Sequence, residues 1–371
     1  MLDHALLLTF PGPASATGED LVELHCHGGR AVIDAVEAAL SRLPGLRAAI
    51  AGEFTRRALI NGRIDLAEAE GLADLLEAET EGQRIVALAA AEGRVSRAVR
   101  LWMDRLAMLS ARVEAMLDFA DEDDVANDAA AYEAIVHDTA VLVNDIAVVV
   151  DAPPVERLRD GLRVVIAGPP NSGKSTLLNL LGERDAAIVS SISGTTRDRI
   201  DVPVMRGGVA YVLTDTAGLT ATDDPIERIG VARAEDAITV ADIVVWLGDD
   251  APPRDDAIWV HARRDLPDRH VVPAGRAFGI AQDDGGSIDR VWAALDDRAT
   301  ALLPRTDTLT LKRDQRSRCQ IALDALRTQS GDPLVMAELF RIARGSLAAV
   351  IGLDATDEML DALFIRFCIG K

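Results

Sequence analysis

The stretch that decides the fold is GPPNSGKS, Gly168–Ser175, which matches the phosphate-loop pattern G-x-x-x-x-G-K-[ST]. The apolar run LRVVIA at 162–167 precedes it and predicts a strand, and STLLNLLG at 175–182 follows it and predicts a helix. In such a loop the backbone N–H groups surround phosphate oxygens, and the helix N-terminus adds positive potential. The sequence therefore predicts a P-loop domain that binds a nucleotide.

Two side chains of this loop carry the predicted chemistry. Lys174 would reach the β- and γ-phosphates, and Ser175 would ligate Mg²⁺ through its hydroxyl. Lysine is otherwise found only at 312 and 371, and arginine supplies nearly all the other positive charge. In a chain with so few lysines, a lysine at a motif position indicates that a compact ammonium group is needed there and that the planar guanidinium of arginine would not replace it. The other loop positions predicted to contact the nucleotide are Asn171, Ser172, Gly173 and Thr176.

Two downstream motifs are typical of GTPase switch segments. In DTAG, Asp215–Gly218, Asp215 can hold a Mg²⁺-bound water and the N–H of Gly218 can sense a γ-phosphate. In SSISGTTRD, Ser190–Asp198, Thr196 is suited to complete the Mg²⁺ shell. Alone, GTTRD could be an ordinary turn, but its place between the phosphate loop and DTAG favours a switch. The two remaining positions of DTAG, also predicted to contact the nucleotide, are Thr216 and Ala217.

The stretch WVHARRDL at 259–266 stands where small GTPases read guanine with N-K-x-D. Asp265 occupies the position whose carboxylate accepts from the N1–H and N2–H₂ groups of guanine. Ala262 replaces the usual asparagine and Arg263 replaces the usual lysine, so an ordinary surface turn is the alternative interpretation. The second base-contacting loop is predicted at IAQDD, Ile280–Asp284.

Composition limits the class of protein. A chain of 371 residues with 49% hydrophobic residues is long enough for two or three globular domains. A net charge of −21 argues against non-specific wrapping of nucleic acid, although a local basic site is compatible with it. Three widely spaced cysteines do not form a disulfide framework, and no apolar run reaches membrane-spanning length. We therefore expect a soluble cytoplasmic protein without a membrane partner.

The pattern along the chain predicts an α/β and α fold. Apolar residues with helical spacing fill the segment before the phosphate loop and the segment after Pro304, whereas short apolar runs alternate with helical patterns between them. This order predicts a P-loop domain with a mainly parallel sheet, inserted in an all-helical domain and preceded by a partial α+β domain. The predicted boundaries are 1–65, 66–155, 156–304 and 305–371. The helical seam predicted to be buried consists of Val95, Val99, Trp102, Leu106, Leu109, Val113 and Met116.

Several stretches occur in an order that resembles the MnmE (TrmE) family of tRNA-modification GTPases. The resemblance runs through nearly the whole chain, and its residues are TGEDLVELHCHGG, GEFTRRALINGRIDLAEAEGLADL, GPPNSGKSTLLN, GTTRD, DTAGL, IERIG and the terminal FCIGK. It implies a GTPase that works with an FAD-dependent partner protein to place an aminomethyl-type group on the wobble uridine of tRNA. It also implies a homodimer and a 5-formyl-tetrahydrofolate site in the N-terminal domain. The family has a further segment of that domain ahead of the stretch that begins here, with a folate-contacting arginine.

The resemblance also implies roles for individual residues. Glu227 matches the residue that orients the attacking water; its spacing alone indicates only a carboxylate on a helix face. Arg63 stands where lysine is usual in the family. The positions matching folate contacts are Glu23, Arg63 and Lys371. The positions matching the ligands of a K⁺ ion beside the phosphates are Asn171, Ser190, Ile192 and Thr195.

Three questions stay open at this point. A ribosome-associated GTPase, or a scaffold GTPase without modification activity, is the alternative function. Cys368 is either a buried thiol on the apolar side of a last helix or a functional thiol beside the folate pocket. His25 and His27 share one face of a predicted strand, where a metal site is conceivable but a structural role is favoured because further ligands are missing nearby.

Overall fold

A computed structural model describes residues 1–118, 128–185, 201–216, 235–328, 330–353 and 364. In chain order its elements are β1 (Leu6–Phe10), β2 (Leu21–His25), α1 (Arg30–Leu40), α2 (Glu53–Ile60), α3 (Leu66–Glu77), α4 (Glu81–Ala91), α5 (Arg94–Asp118), α6 (Asp128–Val150), α7 (Glu156–Arg159), β3 (Leu162–Ala167), α8 (Lys174–Asp185), β4 (Asp201–Arg206), β5 (Val209–Asp215), β6 (Ile243–Trp246), β7 (Ile258–His261), β8 (Phe278–Gly279), α9 (Gly286–Leu302), α10 (Arg313–Arg327) and α11 (Pro333–Val350).

The chain divides into two compact units. The first comprises Met1–Ala78, Arg84–Asp151 and Asp314–Lys371, and the second comprises Glu79–Gln83 and Ala152–Arg313. In sequence, most of the second unit is therefore an insertion between segments of the first. The four predicted domains and their boundaries stay predictions. Among the described helices, none is both long and apolar enough to cross a membrane.

The first unit is built around α5. This helix packs against α6 and α11, and it buries the predicted seam from Val95 to Val113 because those residues form one apolar stripe. Trp102 is buried as predicted. Met116 is only half-buried, so the prediction of a core methionine was wrong there. The seam loses its cover near the end of the helix, and residues 119–127 beyond it lie outside the described part.

The start of α3 shows how local sequence fixes an element of this unit. Asp65 caps the helix by accepting from the backbone N–H of Glu68 at 3.1 Å, and the Glu68 carboxylate accepts from the N–H of Asp65 at 2.8 Å. This reciprocal pair satisfies two N–H groups that the helix itself cannot bond. Behind the cap, Leu66 and Ala73 pack with Phe364. Phe364 is buried in this cluster.

The second unit contains a six-stranded sheet in the order β4-β5-β3-β6-β7-β8. Only β4 runs antiparallel, beside β5, so the predicted mainly parallel sheet is confirmed. Its apolar residues pack with α8 and α9, where Trp292 and Leu295 are fully buried. Because β3, β5, β6, β7 and β8 are parallel, their carboxyl ends lie along one edge. Ligands of open α/β sheets bind at such edges.

Candidate nucleotide-binding site

The phosphate loop follows β3 and has the backbone that its sequence requires. Gly168, Asn171 and Gly173 have φ values of 152°, 60° and 100°. A Cβ on Gly168 would lie 3.0 Å from the Ser172 Oγ and 3.2 Å from the backbone N of Gly248, so a larger residue would displace the loop. The loop then enters α8 at Lys174. The predicted strand–loop–helix unit is confirmed.

Lys174 is buried, with 3% of its surface exposed. Its Nζ donates to the carbonyl of Pro169 at 2.8 Å. Burial lowers the pKa of Lys174, and the nearby Asp215 carboxylate opposes that effect. An ammonium group has three donors, so those not used by Pro169 remain for phosphate oxygens.

Two residues predicted from separate motifs meet beside the loop. The Ser175 hydroxyl donates to Oδ2 of Asp215 at 2.5 Å. Asp215 ends β5 and is held there by its neighbour Thr216, whose backbone N and Oγ1 both bond to the carbonyl of Ile166, at 3.3 and 3.1 Å. Hydroxyl and carboxylate oxygens are ligands suited to Mg²⁺. The Ser172 Oγ is also buried and has no hydrogen-bond partner among the described residues, which fits a loop shaped around a further polar group.

A cavity of about 510 Å³ extends from the phosphate loop to the base-reading loops. Its polar end is formed by residues 171–176, which include Lys174 and Ser175. Its far end is formed by Arg263, Asp265 and the stretch Ile280–Gln282. The cavity thus brings together the two regions predicted to hold phosphates and base, in the size range of small-ligand sites.

The far end of the cavity is a pair of loops held by backbone hydrogen bonds. The N–H of Arg264 donates to the carbonyl of Ile280 at 2.9 Å, and the N–H of Ile280 donates to the carbonyl of His261 at 2.9 Å. The N–H of Ala281 donates to the Ser287 Oγ at 2.9 Å. Asp265 is exposed on the cavity wall. A carboxylate placed in this way can accept from a pair of N–H donors on a ligand.

One contact of the site could not be foreseen from the motifs. Arg263 Nη1 donates to the carbonyl of Asn171 at 3.1 Å, which joins the base-reading loop to the phosphate loop. The replacement of the usual lysine was visible in the sequence, but the backbone conformation that allows the contact was not.

Several predicted residues are not described here or belong to the other unit. Glu23 and Arg63 lie in the first unit, where Glu23 Oε2 pairs with His25 Nε2 at 2.9 Å. His27 Nδ1 pairs with Asp3 Oδ1 at 2.8 Å, and the described residues form no group of three or more metal-ligating side chains. The predicted site residues outside the described part are Ser190, Ile192, Thr195, Thr196, Ala217, Gly218, Glu227, Cys368 and Lys371.

Comparison with known proteins identifies the family. The family described as the MnmE helical domain matches residues 66–368, and the family described as the N-terminus of GTP-binding protein TrmE matches residues 1–63. The chain belongs to the MnmE family. The MnmE resemblance predicted from the motifs is thereby confirmed, together with the fold class that it implied.

Relatives named "tRNA modification GTPase MnmE" match the whole chain. The protein of Rhizorhabdus wittichii is 52% identical over 378 residues, covering 100% of this chain and 84% of the relative. That of Erythrobacter litoralis is 51% identical over 373 residues, covering 100% and 87%. Among solved structures, the G domain of the FeoB iron transporter of T. maritima is 20% identical over 37% of this chain and 98% of that chain, with a TM-score of 0.27. That likeness is too low to carry an argument.

Proposed function

We propose that this chain binds and hydrolyses GTP as part of tRNA modification. The observation that carries the proposal is the cavity that joins a complete phosphate loop to Asp265, in a chain that is half identical to relatives named tRNA modification GTPases. Family membership alone does not show that this chain retains a nucleotide site, because its base-reading stretch is altered at Ala262 and Arg263.

The phosphate end of the cavity would hold the charged part of GTP. Backbone N–H groups at residues 171–176 and the Lys174 ammonium compensate negative charge on the β- and γ-phosphates. This attraction is strong because Lys174 is buried, where charges are poorly screened by water. At the other end, the Asp265 carboxylate would accept from N1–H and N2–H₂ of guanine, which adenine cannot match because it lacks both donors.

Two metal ions complete the proposed site. Ser175 and Thr196 would hold Mg²⁺, with Asp215 binding a water of its shell. Asn171, Ser190, Ile192 and Thr195 would hold K⁺. When bound, these cations neutralise negative charge that develops on the phosphate oxygens as the terminal phosphate is transferred. Glu227 would orient the attacking water by accepting a hydrogen bond from it. Gly218 would donate a hydrogen bond from its backbone N–H to the γ-phosphate.

The wider function follows the family resemblance. Acting as a homodimer in the cytoplasm, the protein would work with an FAD-dependent partner to install a carboxymethylaminomethyl-type group at C5 of the tRNA wobble uridine. Glu23, Arg63 and Lys371 would contribute to a 5-formyl-tetrahydrofolate site that supplies one carbon.

A thermal-shift titration tests nucleotide choice. GTP and GDP should raise the melting temperature in a saturable way, because a ligand that binds only the folded protein stabilises it. ATP at the same concentrations should leave it unchanged. An equal response to ATP would contradict guanine recognition.

Reconstitution tests the wider role. The chain, its FAD-dependent partner, tRNA, GTP and a folate donor should together yield the modified wobble uridine, detected by mass spectrometry of tRNA nucleosides. GTP hydrolysis without any modified nucleoside, under conditions where a relative supports both, would favour the ribosome-associated or scaffold alternative.

A further inference from the structure

A second cavity, of about 310 Å³, lies in the first unit and shares no residue with the candidate nucleotide site. It is lined by α6, by the end of α10 and the residues just after it, and by the first half of α11. Leu326, Met336 and Phe340 are buried and line its floor. Small-molecule sites often lie between helices and have such a mainly apolar lining, with volumes of about 300–1,000 Å³.

Helix α6 has more apolar surface than its packing against α5 uses. Leu142 and Ile146 are fully buried, whereas Val136, Ala140 and Val143 form a second stripe at positions i, i+4 and i+7. This second stripe lines the cavity and is not fully buried. Helices that are apolar on several sides are usually covered on each of them. The second stripe is therefore explained if the cavity holds an apolar group.

The hydroxyl groups that line the cavity differ in the proton that they can offer. Those of Tyr132, Thr139 and Thr328 each donate to a backbone carbonyl, at 2.7, 2.7 and 2.9 Å. Because each of these protons is used within the protein, these three groups present only lone pairs to a ligand. The Ser330 hydroxyl instead accepts from the N–H of Asp332 at 3.2 Å, so its own proton remains for an acceptor.

Arg327 is the charged residue among the described residues of the lining. It is exposed, and its guanidinium forms no hydrogen bond or ion pair with any described residue. A guanidinium can bind a carboxylate through two parallel hydrogen bonds. The net charge of −21 repels anions from most of the surface, so an anion held here would depend on this arginine.

We propose that this cavity binds an amphipathic monocarboxylate, with its unbranched tail between α6 and α11 and its carboxylate at Arg327 and Ser330. The tail supplies affinity by leaving water, and the guanidinium selects the head group through charge-assisted hydrogen bonds. The inference goes beyond the proposed function, because no residue of the nucleotide site takes part in it.

Calorimetry with three probe ligands separates the tail from the head group. Octanoate has both parts, 1-octanol has the tail with a neutral head, and acetate has the carboxylate alone. Octanoate should bind to one site per chain with a Kd of about 0.1 mM, an ordinary affinity for a ligand of its size. Octanol should bind about tenfold more weakly, the size expected for a lost charge-assisted hydrogen bond. Acetate should show no binding at these concentrations.

Two variants test the parts of the cavity. Arg327→Met should lower the affinity for octanoate about tenfold, to that of octanol, and leave the affinity for octanol unchanged. Its matched control is Arg344→Met, which removes an exposed arginine of α11 outside the lining. Ala140→Phe should abolish binding of both ligands by filling the cavity, whereas Ala134→Phe, at an exposed position of α6 outside the lining, should match the wild type.

Circular dichroism melting checks that each variant folds, and the comparison of Arg327→Met with the wild type stands alone if Ala140→Phe does not. The inference is overturned if octanoate does not bind the wild type or binds it no more tightly than octanol. It is also overturned if Arg327→Met weakens both ligands alike, or if a folded Ala140→Phe protein binds octanoate as the wild type does, which would place the ligand on other apolar surface.

A GDP titration of the same proteins keeps this inference separate from the proposed function. Each variant should bind GDP as the wild type does, because the cavity and the nucleotide site have no residue in common. A wild type that binds octanoate but not GDP would contradict the proposed function alone.

Discussion

Lys174 is a single residue whose burial lowers stability but suits the binding of phosphates. Its ammonium group is buried against one backbone carbonyl, and burial lowers its pKa because the charged form loses hydration. A protein gains no stability from such a group unless a partner compensates the charge. The phosphates of a nucleotide are the partner that the cavity would admit.

Replacing Lys174 by Met should therefore abolish binding without harming the fold. We expect GDP affinity to fall at least about 100-fold and the free energy of unfolding of the nucleotide-free protein to stay equal or rise by about 1 kcal/mol. Calorimetry and urea unfolding measure the two quantities. Lys312→Met, which removes a lysine outside the cavity lining, serves as the control. Retained GDP binding in Lys174→Met would contradict the role assigned to the ammonium group.

Asp265 gives a second prediction at the residue scale. Its carboxylate can accept two hydrogen bonds, whereas an asparagine offers one acceptor and one donor edge. Asp265→Asn should weaken GDP binding by about 10- to 100-fold and favour XDP, whose C2 carbonyl replaces the 2-amino group of guanine. Competition between GDP and XDP for a fluorescent nucleotide measures the switch. An unchanged preference for GDP would place base recognition elsewhere.

At the scale of elements, helices α3 and α4 approach each other at a glycine. A Cβ on Gly71 would lie 2.7 Å from the backbone carbon of Ala90, closer than real Cβ contacts. Gly345, in α11, has open space at the same position. The two glycines differ only in what surrounds them, so they form a matched pair.

Alanine at these two positions should change stability in opposite directions. Gly71→Ala should lower the free energy of unfolding by about 3 kcal/mol, which is the upper end of the usual cost of overpacking. The cost is high because the new methyl group meets backbone atoms, which cannot move alone. Gly345→Ala should raise it by up to about 1 kcal/mol through helix propensity. Denaturant unfolding of both variants gives the comparison. A destabilised Gly345→Ala together with an unchanged stability of Gly71→Ala would contradict the close approach of α3 and α4 at Gly71.

Elements with a strong local pattern could be predicted from the sequence, and contacts between loops could not. The strand LRVVIA, the loop GPPNSGKS and helix α8 were predictable because each has its own periodicity or glycine pattern. Asp265 was predictable from its spacing after an apolar strand. The Arg263–Asn171 contact was not, since the positive φ angles of these two residues could not be read from the sequence. Met116 was mispredicted because periodicity shows which face is apolar but not where the neighbouring helices stop covering it.

At the scale of the whole molecule, the charge distribution limits how tRNA could be bound. The chain carries 60 acidic and 39 basic residues, so most of its surface repels a phosphate backbone. Under the proposed function, recognition of tRNA would therefore depend on a local basic surface or on the proposed FAD-dependent partner. The chain divides into two units, each with its own core, and the candidate nucleotide site lies within the second of them.

Steady-state turnover of GTP tests the central claim most directly. The wild type should hydrolyse GTP but not ATP, and faster in KCl than in NaCl of equal ionic strength, because a K⁺ ion held by the proposed ligands would stabilise negative charge developing on the phosphates. Hydrolysis of GTP no faster than that of the Lys174→Met variant in either salt would contradict the account.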